Sequence, residues 1–192
     1  MTENKIVQFV CFTSHLEPGA FIEVWEPYAR LLVKNPAEIL LQEGIDEKNN
    51  HRFIYVSQHT SNAGDFSFAF IKGKSRAHFP EHKARIKLAG GYLPVKAASP
   101  SALSKSDVKV MAFIPSNDTA LDFYKGLSCN HLNIYEAYFE SCSYSYVLEF
   151  YLHKQDAPAL LSQLHSRPGT EAAVYKACHI PKASKKVSSS LL

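Results

Sequence analysis

Short runs dense in β-branched and aromatic residues alternate along this chain with stretches whose apolar positions recur every three or four residues, and the series is written twice. In the first pass Lys5–Thr13 (KIVQFVCFT) predicts a strand buried on both faces. LEPGAFIEVWEPYARLLVKN follows, with Phe21, Trp25, Tyr28 and Leu32 spaced to share one face of a helix. Pro27 lacks the amide that would bond back toward Glu23, so a kink or a restart is expected there, and Asn35-Pro36 ends the helix. Two strands come next, Glu38–Ile45 and Arg52–Thr60, joined by the polar turn DEKNNH. Residues 62–79 fit two patterns: Phe66, Phe68 and Phe70 alternate as in a strand, whereas Asn62 or Asp65 could cap a helix running to about Arg76. Their position in the series favours helix. PEHKARIKLAGG then predicts a helix that starts at Pro80 and is capped by Gly90-Gly91, before a short strand Tyr92–Lys96.

KAASPSALSKSD reads as a joint, and the second pass repeats the order with shorter elements. These are a strand Val108–Ile114, a helix Asp118–Leu127, a hairpin of His131–Ser141 with Tyr144–His153, a helix Asp156–Ser166 and a strand Ala172–Ile180. In the hairpin Tyr144, Tyr146, Leu148, Phe150 and Leu152 share one face, suited to packing under helices. Ser145, Val147, Glu149 and Tyr151 share the other, the pattern of a sheet face that meets a second sheet around a partly polar cavity. A sheet with helices on one side leaves its other side bare, and a second copy in the same chain can cover it.

The order of elements, with KIVQFVCFT, RFIYVSQHT, the helix carrying Trp25 and Tyr28, and KLAGGYLPV in their places, resembles the ferredoxin-like dimeric α/β-barrel superfamily as a tandem fusion. That group includes antibiotic-biosynthesis-type monooxygenases, stress-responsive barrel proteins and chlorite-dismutase-like haem proteins. The resemblance implies an α+β protein of two fused ferredoxin-like halves, residues 1–97 and 107–181, whose antiparallel sheets pack as a barrel. Residues 98–106 are then the linker and 182–192 a tail without periodicity.

Composition narrows the partners. Hydrophobic residues make up 46% of the 192, enough for a sizeable core. A net charge of +3 gives no concentrated phosphate-tracking face, so a nucleic-acid partner is not expected. No apolar run approaches the roughly 18 residues of a membrane span. The opening MTENKIVQFVCF shows no charged-then-apolar leader pattern, and Cys11, Cys129, Cys142 and Cys178 form no CxxC pair. A cytoplasmic protein with reduced cysteines, monomeric or homodimeric, is expected.

Candidate chemistry is sparse. His59 follows Phe53, Tyr55 and Ser57 on one strand face, where an imidazole with one donor and one acceptor could move a proton or orient a substrate. Tyr55, Trp25 and Tyr28 are the candidate pocket lining, against a plain core role. Lys72, Lys74, Arg76, His78, Lys83, Arg85 and Lys87 are opposed by Glu81 alone; Lys74, Arg76 and His78 are candidate anion ligands, against a solvated face. His78 and His82 stand four apart, but Pro80 places His78 ahead of the helix, so no metal site is expected. Glu136, Glu140 and Glu149 alternate with aromatics and default to solvent, with no acid/base pair among them. GxGxxG, P-loop and GxSxG motifs are absent. The function expected is binding of a small hydrophobic or anionic molecule without a cofactor. The alternatives are a cofactor-independent monooxygenase acting on a hydrophobic or aromatic metabolite, a haem-binding barrel protein, and an interaction module.

Overall fold

Eight antiparallel strands close on themselves in the order β1-β3-β2-β8-β5-β7-β6-β4. The computed structural model describes residues 5–32, 38–60, 85–96, 107–115, 121–127, 131–138, 142 and 144–179. The first series comprises β1 (Lys5–Ser14), helix α1 (Pro18–Leu32), β2 (Glu38–Gln42), β3 (His51–Thr60) and β4 (Arg85–Lys96). The second comprises β5 (Asp107–Pro115), α2 (Leu121–Lys125), β6 (His131–Ala137), β7 (Tyr144–His153), α3 (Ala157–His165) and β8 (Glu171–His179). Each series builds a sheet of one order, β4-β1-β3-β2 and β8-β5-β7-β6, and the seams β2–β8 and β4–β6 close the barrel. Closure gives every strand a neighbour on both sides, which removes the unpaired edges that invite association.

Strand alternation divides the apolar residues into two outer layers and one inner layer. On the outside of the first sheet Phe12, Phe53 and Tyr55 meet Phe21 and Trp25 of α1, all buried. Phe21 stacks on Phe53 at 3.9 Å between ring centres, and Trp25 lies edge-on to Phe12 at 4.5 Å and to Tyr55 at 5.5 Å. On the outside of the second sheet Val110, Ala112, Leu148 and Phe150 pack under Tyr124, Leu160 and Leu164. Val7, Phe9, Leu40, Ile54, Tyr92, Met111, Phe113, Val147 and Tyr175 fill the space between the sheets. From Tyr146 onward the hairpin faces fall as their alternation predicts, Leu148 and Phe150 under the helices and Val147 and Glu149 inward. Tyr144, expected on the helix face, instead joins the inner layer, because the register shifts between Tyr144 and Tyr146.

The inner layer carries an internal two-fold correspondence. Phe9 of β1 pairs with Val56 and Gly90, and Met111 of β5 pairs with Glu149 and Ala173. Tyr92 meets Ala137 across one seam, and Tyr175 meets Gln42 across the other. Tyr92 and Tyr175, Gly90 and Ala173, and Val56 and Glu149 are therefore matching places in the two halves.

Three expectations are corrected. PEHKARIKLAGG does not continue as helix: from Arg85 the chain is strand, bonded to β1, and residues 80–84 lie outside the described residues. Gly90 is accordingly no helix cap. It sits in mid-strand, where a Cβ would come within 2.8 Å of the Tyr92 ring and 3.1 Å of the Cys142 sulfur, the close approach that a strand glycine permits. Glu149 does not face solvent; its place inside the barrel leaves it 6% exposed. Helix α1 starts at Pro18, where the missing amide breaks no helical bond, and runs as one helix through Pro27. Residues 62–79, the linker 98–106 and the tail 182–192 lie outside the described residues.

Candidate functional site

A cavity of about 160 Å³ opens at the barrel end where β1, β2 and β5 finish and β3, β7 and β8 begin. Its walls come from both halves. Cys11 and Thr13 of β1, Gln42 of β2 and Arg52 of β3 line one side; Met111 and Phe113 of β5, Tyr144 of β7 and Glu171, Ala173 and Tyr175 of β8 line the other. The turn between β2 and β3 delivers Gln42 and Arg52 to this end. In that turn the Asp46 carboxylate accepts the amides of Lys48 and Asn50, both at 2.8 Å, which holds its pKa below the usual carboxylate range. Asn49 supplies the left-handed step at φ 58°, a conformation asparagine tolerates.

Polar groups gather at the rim. The Arg52 guanidinium lies 3.8 Å from Glu171, with the two side chains 41% and 59% exposed. The Tyr144 hydroxyl donates to Glu171 at 2.8 Å, and the Tyr175 hydroxyl donates to the Gln42 carbonyl oxygen at 3.2 Å. Burial raises the phenol pKa of Tyr144 and Tyr175, and the Glu171 carboxylate adds to the rise at Tyr144. Burial likewise raises the Cys11 thiol pKa, with Glu171 contributing, so the sulfur stays protonated and offers no thiolate nucleophile. At neutral pH the cavity presents neutral hydroxyls and a thiol over an apolar floor, with one cation and one anion at its mouth. That arrangement binds and orients a ligand; the described lining offers no activated nucleophile.

A second polar group lies toward the opposite barrel end. Lys109 of β5 places its ammonium 2.7 Å from Glu149 and 3.0 Å from Glu38, and 5.2 Å from the centre of the Tyr151 ring. Glu149 also accepts from Asn133 at 2.6 Å and from the Tyr135 hydroxyl at 3.0 Å. Desolvation alone would lower the Lys109 pKa, but the two carboxylates together outweigh it and raise the pKa. Desolvation opposes ionisation of Glu149 too, and Lys109 with the hydrogen bonds to Glu149 brings its pKa below the usual value. The Lys109–Glu38 contact ties the halves together across β8.

Of the candidate residues read from the sequence, only the side chains of Trp25 and Tyr55 are among the described residues, and they lie away from this cavity. Trp25 and Tyr55 are buried on the outer face of the first sheet, against each other and against Phe12 and Phe53, and neither lines the cavity. Position 59 in β3 pairs with Ile6 and falls by alternation on the face that carries Tyr55 and Ser57; the His59 side chain lies outside the described residues. Tyr28 sits in α1 with its side chain likewise outside them, as are Lys74, Arg76 and His78 altogether. The cavity residues Arg52, Gln42, Tyr144, Glu171 and Tyr175 escaped a search for motifs. The available signal was parity: Arg52 precedes Phe53 and so occupies the opposite face from the helix-packing aromatics. Among the described residues no group of three or more His, Cys, Asp or Glu side chains could hold a metal ion, and no helix is long and apolar enough to cross a membrane.

Comparison with known proteins gives fold without family. No family model matches the chain, and no curated protein matches it by sequence. Among solved structures, a candidate monooxygenase from Fusobacterium nucleatum subsp. nucleatum is similar at TM-score 0.53 and 12% identity, covering 95% of this chain and 96% of its own. An anthrone oxidase-like protein is similar at TM-score 0.52 and 10% identity, covering 98% of each chain. At these identities the likeness shows a shared barrel-like α+β fold.

Proposed function

We propose that this chain is a small-molecule-binding protein of the dimeric α/β-barrel type, formed by two ferredoxin-like units fused in tandem, residues 1–97 and 107–181. The observation that carries the reading is the cavity of about 160 Å³ walled by strands of both units, with Arg52, Glu171 and Tyr144 at its rim. Concave sites with an apolar floor and a few convergent polar groups are where small ligands bind. The matched places of Tyr92 with Tyr175 and of Gly90 with Ala173 support the tandem origin. The test fills the cavity: Ala173→Phe is expected to abolish the thermal shift produced by small aromatic compounds while leaving the far-UV spectrum unchanged. A ligand-induced shift that survives in the filled variant overturns the proposal.

A second reading, favoured by the names of the two structures of similar fold, makes the same cavity a cofactor-independent monooxygenase site for an aromatic metabolite. In such a reaction the substrate itself reduces dioxygen; a ring methylene and O2 give a ring carbonyl and water. The substrate must first lose a proton. Glu171, bonded to Tyr144, is the carboxylate that the described cavity offers as acceptor. Position 59 falls on the β3 face of Tyr55 and Ser57, away from this cavity, so His59 is not the base of this reading. Oxygen uptake with a one-ring substrate whose keto form carries an acidic ring methylene, such as phloroglucinol, checks the reading: turnover that falls in Glu171→Gln, with folding intact, identifies the base, and absence of uptake sinks it. In either reading we propose a cytoplasmic protein acting without nucleic acid.

A further inference from the structure

We infer that the occupant of the barrel-end cavity is a single-ring aromatic acid, its ring among Met111, Phe113 and Ala173 and its carboxylate on the Arg52 guanidinium. The inference rests on reading the cavity as a binding site and names its ligand class.

Size comes first. Apolar cavities of about 150 Å³ are known to take up benzene, and this one measures about 160 Å³. One ring with a small substituent fills it, and three fused rings exceed it. Charge comes second. Lys109 lies 2.7 and 3.0 Å from two carboxylates, so it is already matched. Arg52 stands at the cavity, and its contact with Glu171 at 3.8 Å is beyond hydrogen-bonding distance, so Glu171 does not close the guanidinium fork. Glu171 instead accepts from Tyr144 at 2.8 Å. A ligand carboxylate can approach Arg52 through two parallel N–H donors, the geometry that guanidinium fits and an exposed single contact does not supply. The second polar wall agrees. The Gln42 carbonyl oxygen is engaged by Tyr175, which leaves the amide N–H groups as what Gln42 offers a ligand, and a carboxylate accepts only.

The test is calorimetric titration of the full chain with benzoate, benzamide, toluene and anthracene-2-carboxylate. Benzoate is expected to bind about tenfold or more tighter than benzamide, the ratio that charge-assisted hydrogen bonds produce. Arg52→Gln is expected to erase that ratio while leaving toluene binding as in the parent protein, and anthracene-2-carboxylate is expected not to bind. Equal affinity for benzoate and benzamide, or an unchanged ratio in Arg52→Gln, refutes the carboxylate anchor but leaves a binding cavity standing. Anthracene-2-carboxylate binding more tightly than benzoate refutes the single-ring limit. If none of the four compounds binds the parent protein, or if Ala173→Phe leaves benzoate binding unchanged, the reading of the cavity as a binding site fails along with the ligand class.

Discussion

The two ends of the barrel interior handle charge in opposite ways. Toward one end, the Lys109 side chain is 12% exposed and the Glu149 side chain 8%, and each is closed by partners within 3.0 Å: Lys109 by two carboxylates, Glu149 by Lys109, Asn133 and Tyr135. At the other end, Arg52 and Glu171 are about half exposed and 3.8 Å apart, beside the cavity. A charge taken out of water must have its hydrogen-bonding capacity met by protein, and a charge left wet need not. The end with complete pairing is therefore an element of structure. The end with incomplete pairing is where a ligand can add something.

The largest expected effect tests the closed end. Lys109→Met leaves Glu149 buried without its cation, and removing one partner of such a pair costs about 3–5 kcal/mol. Urea denaturation measures it. Adding Glu149→Leu should recover most of the loss, because the first half already places Val7 and Val56 at the matching positions. A double variant as unstable as Lys109→Met would show that Asn133 and Tyr135 depend on the carboxylate.

The same group sets a pH dependence. Glu149 has its pKa lowered in the folded state, so its contribution is present above the unfolded carboxylate value of about 4.5 and is lost as pH falls through the lowered folded value. Lys109 has its pKa raised, so its share is present below about 10.5 and is lost as pH climbs through the raised folded value. Stability curves of the parent and of the double variant should converge in acid and in strong alkali and differ between. Parallel curves throughout would remove the ionic account.

Gly90 and Ala173 sharpen the comparison between halves. Gly90→Ala forces a methyl to 2.8 Å from the Tyr92 ring, and overpacking of this kind costs about 1–3 kcal/mol. Ala173→Gly, at the matching place beside the cavity, loses only the smaller strand-glycine term of about 0.5–1 kcal/mol. Thermal melts of the two variants should rank in that order. The smallest expected effect on stability is at the open end: Arg52→Gln removes a half-exposed ion pair worth less than about 1 kcal/mol. A larger loss there would make Arg52 a structural residue and count against the open end as a ligand site.

Much of the architecture was legible along the chain because strand and helix periods are local. Lys5–Thr13, Glu38–Ile45, Arg52–Thr60 and the β6–β7 hairpin were recovered to within a few residues, as was the face of Tyr146, Leu148 and Phe150 that packs under helices. RIKLAGG misled because adjacent glycines after an apolar run match a helix cap as well as a strand crossing under a ring, and only the Tyr92 ring and the Cys142 sulfur decide between them. Glu149 was ambiguous for a related reason. Alternation put it opposite Phe150, but whether that side met water or a second sheet depended on a partner strand far along the chain.

By itself the sequence determined the order of most elements and, within the runs it read as strands, which residues alternate, since these follow from backbone geometry within a few residues. It did not determine the Arg85–Lys96 strand or the side that Tyr144 takes beyond a register shift. The tertiary structure decided what each parity faced. Closure of β2 on β8 and of β4 on β6 turned one side of every strand into a lumen, joined Lys109 to Glu38 across the seam, and set Arg52, Gln42 and Glu171 around one cavity. Contacts of that kind join residues far apart in the chain, 71 positions for Lys109 and Glu38 and 133 for Gln42 and Tyr175, and no local pattern encodes them.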